Sequence, residues 1–186
     1  VDMEAALDIL EEFELPGAVI IKHTNPCGAA ISHKLVTAYK QAYAADSQSA
    51  FGSIVGLNRQ VDIITAKALA ETFIEVIIAP SFEDKAFAIL SKKSSIRLIR
   101  YTADLKPKAL HFKQIRSGFL VQSIDRETVS TSNIKCVTDK KPTQMQFNDL
   151  VFAFKLVKYV KSNAIVIVKN GLTLGIGAGQ MSRVDA

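Results

Sequence analysis

Two adjacent side chains, Lys22 and His23, are the clearest candidates for acid–base chemistry in this sequence. They follow the apolar run AVII at 18–21, which is typical of a strand covered on both faces. A histidine accepts a proton near neutral pH, and the ammonium group of an adjacent lysine disfavours the charged form of the ring. The lysine can also stabilise negative charge that develops in a transition state. The alternative is a surface lysine beside a histidine that caps a turn.

The location of this pair at the end of a strand favours a functional role. In open α/β sheets, ligands bind outside the carboxyl ends of the strands. Adjacent strand residues point to opposite faces, so Lys22 and His23 reach one site only if the regular backbone ends at His23. The segment NPCG at 25–28 is a turn sequence, and we expect the strand to break there.

The dipeptide Pro26-Cys27 matches one part of a zinc-deaminase signature, H-x-E…P-C-x-x-C. The rest of the signature is missing. Asn25 stands where the catalytic glutamate is required, and Ala30 stands where the second cysteine is required. A tetrahedral zinc site would therefore have too few ligands. We predict no catalytic metal and expect Cys27 to be a small buried residue beside the site.

Three further features could bind a ligand. Gly52 precedes an apolar strand and would let a ligand approach the backbone closely, or would simply form a turn. Asn163 opens another strand, where its amide could bind a ribose or an amide. The glycine-rich segment 175–180 offers backbone N–H groups near a predicted helix N-terminus, and Arg183 beyond it suits a carboxylate or a phosphate. Each feature also has an ordinary structural explanation.

Apolar periodicity and turn residues predict the elements that must position these side chains. Helices are predicted at 3–13, 34–45, 62–73, 82–93 and 144–160, and strands at 18–21, 53–57, 76–80, 96–99, 164–168 and 172–176. The strand at 164–168 is expected to be buried, and Asn170-Gly171 predicts a type I′ hairpin turn after it. Strands that alternate with helices imply an α/β layered sheet with crossover connections.

The middle and the end of the chain differ from this pattern. Residues 101–142 contain shorter β-like pieces at 109–112 and 118–121, joined by polar connections. The order helix, apolar strand, turn occurs at 3–28 and again at 144–171, which indicates two related α/β units. We assign residues 1–140 to a first unit with its connecting segment, and residues 141–186 to the start of a second. The sequence stops just after a glycine-rich turn into a predicted new helix, so we expect the second unit to be truncated.

Composition excludes several classes of protein. Of the 186 residues, 48% are hydrophobic and 22% are charged, which is typical of a folded globular protein. No apolar run approaches the roughly 20 residues that cross a bilayer, and the acidic N-terminal stretch is unlike a signal peptide. Two distant cysteines, Cys27 and Cys136, favour a reducing cytoplasm over a disulfide framework. The net charge of +5 is scattered, which suits small anionic ligands rather than a nucleic acid or a membrane.

Four ordered motifs resemble one family along nearly the whole chain. They are KHTNPCGAA at 22–30, SAFGSIVGLNRQVD at 49–62, FIEVIIAP at 73–80 and KSNAIVIVKNGLTLGIGAGQMSR at 161–183. Together they resemble the transformylase part of the bacterial bifunctional purine-synthesis enzyme, which also carries an IMP cyclohydrolase domain. The resemblance implies an α/β fold of cytidine-deaminase-like layered units, with helices packed on mixed sheets. It implies that the first unit is complete here and the second truncated.

The resemblance also implies a reaction and the residues that perform it. The family transfers a formyl group from the co-substrate 10-formyltetrahydrofolate to the amine of aminoimidazole carboxamide ribonucleotide (AICAR), without a catalytic metal. By the family pattern, His23 is the proton acceptor and Lys22 stabilises the transition state. The residues placed around the ribonucleotide are Gly52, Glu75, Asn163 and Arg183. Val184 is placed near the folate, and some relatives carry Asp at the position of Glu75.

The same resemblance implies a cytoplasmic homodimer with sites across the subunit interface. Members can hold a potassium ion, for which this sequence indicates no ligands. Nothing in the chain matches the cyclohydrolase domain. The family's ribonucleotide-binding Arg-Tyr pair belongs upstream of Val1, and an aromatic–proline loop with further folate contacts belongs downstream of Ala186. We therefore expect this chain alone to have little or no activity.

Three alternatives stay open. One is a non-catalytic module that binds a purine nucleotide or dimerises, and a second is a zinc-dependent nucleoside deaminase. The third is a basic RNA-binding domain, which would bind RNA with a steep dependence on salt.

Overall fold

The computed structural model describes residues 1–102, 109–125, 127, 129 and 131–186 of the chain. Its helices are α1 (Asp2–Leu10), α2 (Leu35–Ala45), α3 (Ile63–Ala70), α4 (Asp84–Leu90) and α5 (Gln144–Val157). Its strands are β1 (Gly17–Lys22), β2 (Asn25–Ile31), β3 (Ser53–Leu57), β4 (Ile74–Ala79), β5 (Arg97–Arg100), β6 (Leu110–Ile115), β7 (Gly118–Ser123), β8 (Ile165–Lys169) and β9 (Leu172–Gly177). A short 3₁₀ turn lies at Thr131–Asn133.

Seven of these strands form one mixed sheet in the order β5-β4-β3-β1-β2-β9-β8. The neighbours β3, β4 and β5 are parallel and are joined by α3 and α4, as expected for crossover connections. β1 is antiparallel to β3 on one side and to β2 on the other. The predicted α/β layered architecture with a mixed sheet is therefore confirmed.

Alternating side chains of β1 build two cores, one on each face of the sheet. Ala18 and Ile20 pack with α2, α3 and α4, whereas Val19 and Ile21 pack with α1 and α5. Each of these four side chains is completely buried. Burial of an isoleucine contributes about 1.5–3 kcal/mol. The strand that ends at Lys22 is thus anchored from both faces.

The last two strands, β8 and β9, continue the same sheet rather than forming a separate one. β9 pairs with β2, with Leu172 opposite Ala30, and β8 forms the outer edge. The predicted turn between them is confirmed, because Asn170 and Gly171 have positive φ angles of 55° and 72°. The assignment of residues 1–140 and 141–186 to two units stays a prediction.

Several expectations about individual segments are wrong. The segment 25–28 is not a turn but the start of β2, because the chain already reverses at His23 and Thr24. The strand at 164–168 is not buried: in β8 every second residue is exposed, since the strand lies at the sheet edge. No helix follows the glycine-rich segment within residues 178–186.

The β-like pieces of the middle segment pair with each other as the antiparallel hairpin β6–β7, apart from the main sheet. Part of the polar connections expected within 101–142 lies outside the described residues. Across the described ranges, no helix has the length and apolar character to cross a membrane.

Candidate functional site

The side chain of His23 is carried by a two-residue turn between β1 and β2. Lys22, the last residue of β1, pairs with Asn25, the first residue of β2, so His23 and Thr24 form the loop. Their φ angles are 53° and 65°, the pattern of a type I′ turn. Such left-handed conformations disfavour residues other than glycine by about 1–2 kcal/mol each. The regular backbone therefore ends at His23, the condition under which Lys22 and His23 can serve one site.

A bulge immediately after this turn shapes the start of β2. Ile20 lies opposite Gly28 and Ile21 opposite Pro26, which leaves Cys27 as the extra residue of β2. Its thiol donates to the carbonyl oxygen of Ile20 at 3.5 Å. Bulges of this kind re-aim side chains and are frequent beside functional sites.

Lys22 points toward the α2 face of the sheet, where its ammonium group binds a backbone carbonyl. Its Nζ donates to the carbonyl oxygen of Phe51 at 2.7 Å. The carboxylate of Asp46, just after α2, is a second neighbour. Its pKa is lowered by hydrogen bonds from the side chain and backbone of Ser49, and further by the charge of Lys22. Lys22 is therefore held in one place by the loop that precedes β3.

Gly52 and Glu75 lie near each other, next to the carbonyl that Lys22 binds. Gly52 follows the carbonyl that Lys22 binds, and its N–H donates to the carbonyl oxygen of Phe73 at 3.0 Å. Its φ is 69°, and a Cβ there would lie 3.6 Å from Oε1 of Glu75. The carboxylate of Glu75 therefore lies close to Gly52, and the positive φ of residue 52 disfavours any side chain there.

An aromatic pair lies against these two residues. The rings of Phe51 and Phe73 are tilted by 30° with their centroids 4.7 Å apart. Both are large apolar side chains with substantial exposure, 61% for Phe51 and 43% for Phe73. Exposed aromatic surface beside a charged group can stack on a planar ligand. Neither phenylalanine was among the predicted site residues, although both lie within the motifs at 49–62 and 73–80.

The group around Lys22 lies at the amino ends of the parallel strands β3 and β4, whereas a site at the carboxyl ends was expected. Ile21 lies opposite Ile54, so the carboxyl end of β1 adjoins the amino ends of β3 and β4. The rule that ligands bind at the carboxyl ends applies to parallel strands, and β1 is antiparallel to both of its neighbours. That rule therefore does not account for the position of Lys22.

The predicted residues Asn163 and Arg183 form a second group at the edge of the sheet. Both line a cavity of about 400 Å³ together with Val157, Val160 and Ile165. The amide Nδ2 of Asn163 donates to the carbonyl oxygens of Gln180 and Met181 at 3.0 and 3.1 Å. The guanidinium of Arg183 is exposed and suits a carboxylate or a phosphate.

Lys161 connects the two groups. Its backbone N–H donates to Oδ1 of Asn25 at 3.2 Å, and its Nζ donates to Oγ1 of Thr24. Its carbonyl oxygen accepts from the N–H of Gly179 at 2.6 Å. The turn that carries His23 is therefore tied to the segment that carries Asn163.

In the part of the chain that the structure describes, Val184 belongs to neither group. Its side chain is 92% exposed, and its backbone N–H donates to Oγ of Ser182 at 3.2 Å. Its predicted place near a folate stays a prediction.

Cys27 is half-buried beside Lys22. Burial and, to a smaller extent, the charge of Asp46 raise the pKa of its thiol to about 11. The thiol is therefore protonated and unreactive at neutral pH. Within the described ranges, no three His, Cys, Asp or Glu side chains lie close enough together to hold a metal ion.

Comparison with known proteins fixes the family. The sequence model of the AICARFT/IMPCHase bienzyme family matches residues 1–186. The chain belongs to this family. Its curated relatives include proteins named bifunctional purine biosynthesis protein PurH from Thermoanaerobacter sp., Persephonella marina and Cyanothece sp.. They are 49%, 50% and 51% identical over 183, 187 and 187 aligned residues.

These alignments cover 98–100% of this chain but only 36% of each relative. The chain therefore spans about a third of the length of the curated relatives it matches.

Proposed function

We propose that this chain takes part in purine biosynthesis as the catalytic core of an AICAR formyltransferase. The observation that supports this most is the arrangement of Lys22 and His23 at the β1–β2 turn. Lys22 binds the carbonyl oxygen next to Gly52, and Gly52 lies near Glu75. The turn is tied through Lys161 to the segment of Asn163. The relatives that carry the family match are named as purine biosynthesis proteins.

In the proposed reaction, the AICAR amine attacks the formyl carbon of 10-formyltetrahydrofolate. A carbon–nitrogen bond forms, and the imidazole of His23 accepts the proton that the amine loses. The oxyanion of the tetrahedral adduct is stabilised by the ammonium group of Lys22. The adduct then collapses by breaking the bond to N10 of the folate, and the proton held by His23 passes to that nitrogen. No metal ion is required at any step.

The edge group would hold the ribonucleotide while this chemistry occurs. The cavity combines the amide oxygen of Asn163, whose Nδ2 donates to backbone carbonyls, with the exposed guanidinium of Arg183. They suit a hydrogen-bond donor on the ring and a phosphate. Because the chain spans 36% of its relatives, we expect it alone to show little turnover.

Substitution of His23 in the full-length polypeptide that contains this chain tests the proposal. His23→Asn removes the base but keeps a residue type that tolerates positive φ. We expect kcat for formyl transfer to fall roughly 10²- to 10⁴-fold, with KM for AICAR little changed. Lys22→Met should lower kcat by roughly 10²- to 10³-fold.

The assay is run with both substrates on the full-length polypeptide and on this chain alone. Wild-type turnover by the His23→Asn protein would refute the proposed role of the base. Ribonucleotide binding without turnover, unaffected by His23→Asn, would instead favour a nucleotide-binding module. Turnover by the isolated chain at the full-length rate would refute the expectation of low activity.

A further inference from the structure

The turn that carries His23 is held by two residues that are distant from it in sequence. The N–H of Thr24 donates to Oδ1 of Asp2, the first residue of α1, at 3.1 Å. From the other side, Nζ of Lys161 donates to Oγ1 of Thr24. The hydroxyl of Thr24 in turn donates to the carbonyl oxygen of His23 at 2.6 Å. The carboxylate of Asp2 and the ammonium group of Lys161 therefore contact the same residue of the loop. We call these two contacts the clamp.

The sequence of the loop explains why such contacts are needed. Type I′ turns favour Asn-Gly because both central residues need positive φ, and His-Thr lacks this preference. The molecule contains a second turn of the same kind at Asn170-Gly171. Its two backbone N–H groups also donate to a carboxylate, that of Asp149, at 2.9 and 2.8 Å. At Asn170-Gly171 the residue types already favour the turn without those contacts. At His23-Thr24 the residue types do not favour it, so the contacts must stabilise the conformation.

A strained conformation at a functional site persists only where the surrounding structure imposes it. A relaxed strand would continue the alternation of side chains and send His23 to the opposite face from Lys22. A general base must also lie within roughly 2.6–3.2 Å of the proton that it removes. The conformation of this loop therefore decides whether the base and the stabilising cation reach the same reacting group.

We infer that Asp2 and Lys161 are positioning residues that hold His23 in its working conformation. This inference rests on the proposed formyl transfer, because it assigns the two residues a part in that reaction. Neither residue needs to touch a substrate. Lys161 also links the loop to the Asn163 segment through Gly179, so the base is placed relative to the ribonucleotide cavity.

Two substitutions of Asp2 in the full-length polypeptide separate this role from a general effect on α1. Asp2→Ala removes the acceptor for the Thr24 N–H, whereas Asp2→Asn keeps a carbonyl oxygen in the same position. Both remove the same negative charge from the first turn of α1. We expect Asp2→Ala to lower kcat roughly 10- to 100-fold with KM for AICAR unchanged. Asp2→Asn should restore kcat to within about threefold of wild type.

Substitution of Lys161 provides an independent test. Lys161→Met removes the ammonium group but keeps the backbone N–H that binds Asn25. We expect kcat to fall by roughly threefold to tenfold. Lys169→Met, the same change at the end of β8, is the matched control and should leave kcat within about twofold of wild type.

A second measurement keeps the inference separate from the proposed function. Hydrogen exchange of the Thr24 amide reports the clamp whether or not the protein transfers a formyl group. We expect this exchange to become roughly fivefold to tenfold faster in Asp2→Ala and to stay near wild type in Asp2→Asn.

The outcomes are distinct. A wild-type kcat for Asp2→Ala, or an equal loss in Asp2→Asn, would overturn the inference. If the wild-type protein transfers no formyl group, the proposed function has failed and the exchange measurement alone judges the clamp. In that case unchanged Thr24 exchange in Asp2→Ala overturns the clamp, and faster exchange restored by Asp2→Asn supports it.

Discussion

The centre and the β8 edge of the sheet both supply residues to the candidate site, but they are built differently. At the centre, β1 is enclosed by helices on both faces, and Val19, Ile20 and Ile21 are completely buried. At the edge, residues of β8 alternate between exposed and half-buried. The outer faces of α5 and β8 line an open apolar groove of about 1280 Å³ that includes Leu150, Phe154 and Ile167.

This difference in burial corresponds to the different roles proposed for the two groups of residues. Lys22 and His23 lie at the end of a strand whose residues 17–21 are all buried, which suits groups that must be placed to a fraction of an ångström. Asn163 and Arg183 lie where burial is low, and such regions open locally at small free-energy cost. The proposed chemistry is thus placed on the rigid region and ligand capture on the adaptable one.

The largest test of this comparison is the same substitution made in each region. Ile20 is completely buried in β1, whereas Ile167 of β8 is 57% exposed. Ile20→Ala should lower the free energy of unfolding by about 2–5 kcal/mol, because it leaves a cavity in the core. Ile167→Ala should change it by less than about 1 kcal/mol. Urea denaturation measures both, and equal losses would contradict the comparison.

The two cysteines provide a second test. Cys27 lies in the enclosed region, where burial raises the pKa of its thiol to about 11. Cys136 is exposed. Hydrogen bonds with the side chain of Thr138 and, to a smaller extent, with the Thr138 backbone lower the pKa of the Cys136 thiol. At pH 8, alkylation should be about a hundredfold faster at Cys136, because the thiolate is the reactive form. Peptide mapping identifies the labelled thiol, and in urea both should react at similar rates.

The raised pKa of the Cys27 thiol gives the stability of the fold a pH dependence with a definite sign. In the unfolded chain the Cys27 thiol has its usual pKa of 9.0, and in the folded protein its pKa is about 11. The folded state retains the proton over this range, so the contribution to stability is fully present below pH 9. It is lost as the pH rises through 11. The stability difference between wild type and Cys27→Ala should therefore fall between these values, and a constant difference would contradict the shift.

The smallest expected effect compares two glycines. Gly52 has a φ of 69°, and a Cβ there would lie 3.4 Å from the Phe73 ring. Gly52→Ala should therefore destabilise the fold by about 1–2 kcal/mol and raise KM for AICAR. A Cβ at Gly175 would meet nothing within 4 Å, so Gly175→Ala is the control and should change stability by less than about 0.5 kcal/mol. Denaturation curves that coincide for the two variants would remove the distinction.

Local sequence was sufficient to predict elements whose preferences act within a few residues. The apolar runs of β1 and β3 and the Asn170-Gly171 turn were predicted at nearly their observed positions. The turn at His23 could not be predicted, because its backbone is held by Asp2 and Lys161, which are distant in sequence. The exposure of β8 was also missed, since its sequence is as apolar as that of β1 and burial depends on what packs against each face.

The candidate site was predictable to a similar extent. Lys22, His23, Gly52, Asn163 and Arg183 were selected from local features, although the substrates that they would serve came from the family resemblance. Glu75 and Val184 came from the resemblance alone. The aromatic pair and the positioning residues were not selected, because their significance depends on contacts between separate elements. Neighbouring strands β3 and β4 bring Phe51 to Phe73, and no pattern within either segment indicates that contact.

The antiparallel insertion of β1 has an electrostatic consequence for the end of the sheet that carries His23. Helices carry partial positive charge at their amino ends and partial negative charge at their carboxyl ends. α1 begins at this end, where Asp2 reaches Thr24, whereas α2 ends there beside Asp46 and α3 ends just before β4. The carboxyl ends of α2 and α3 therefore give a negative field on the face where Lys22 lies. We expect this polarity to orient an anionic ligand with its charge away from the α2 face.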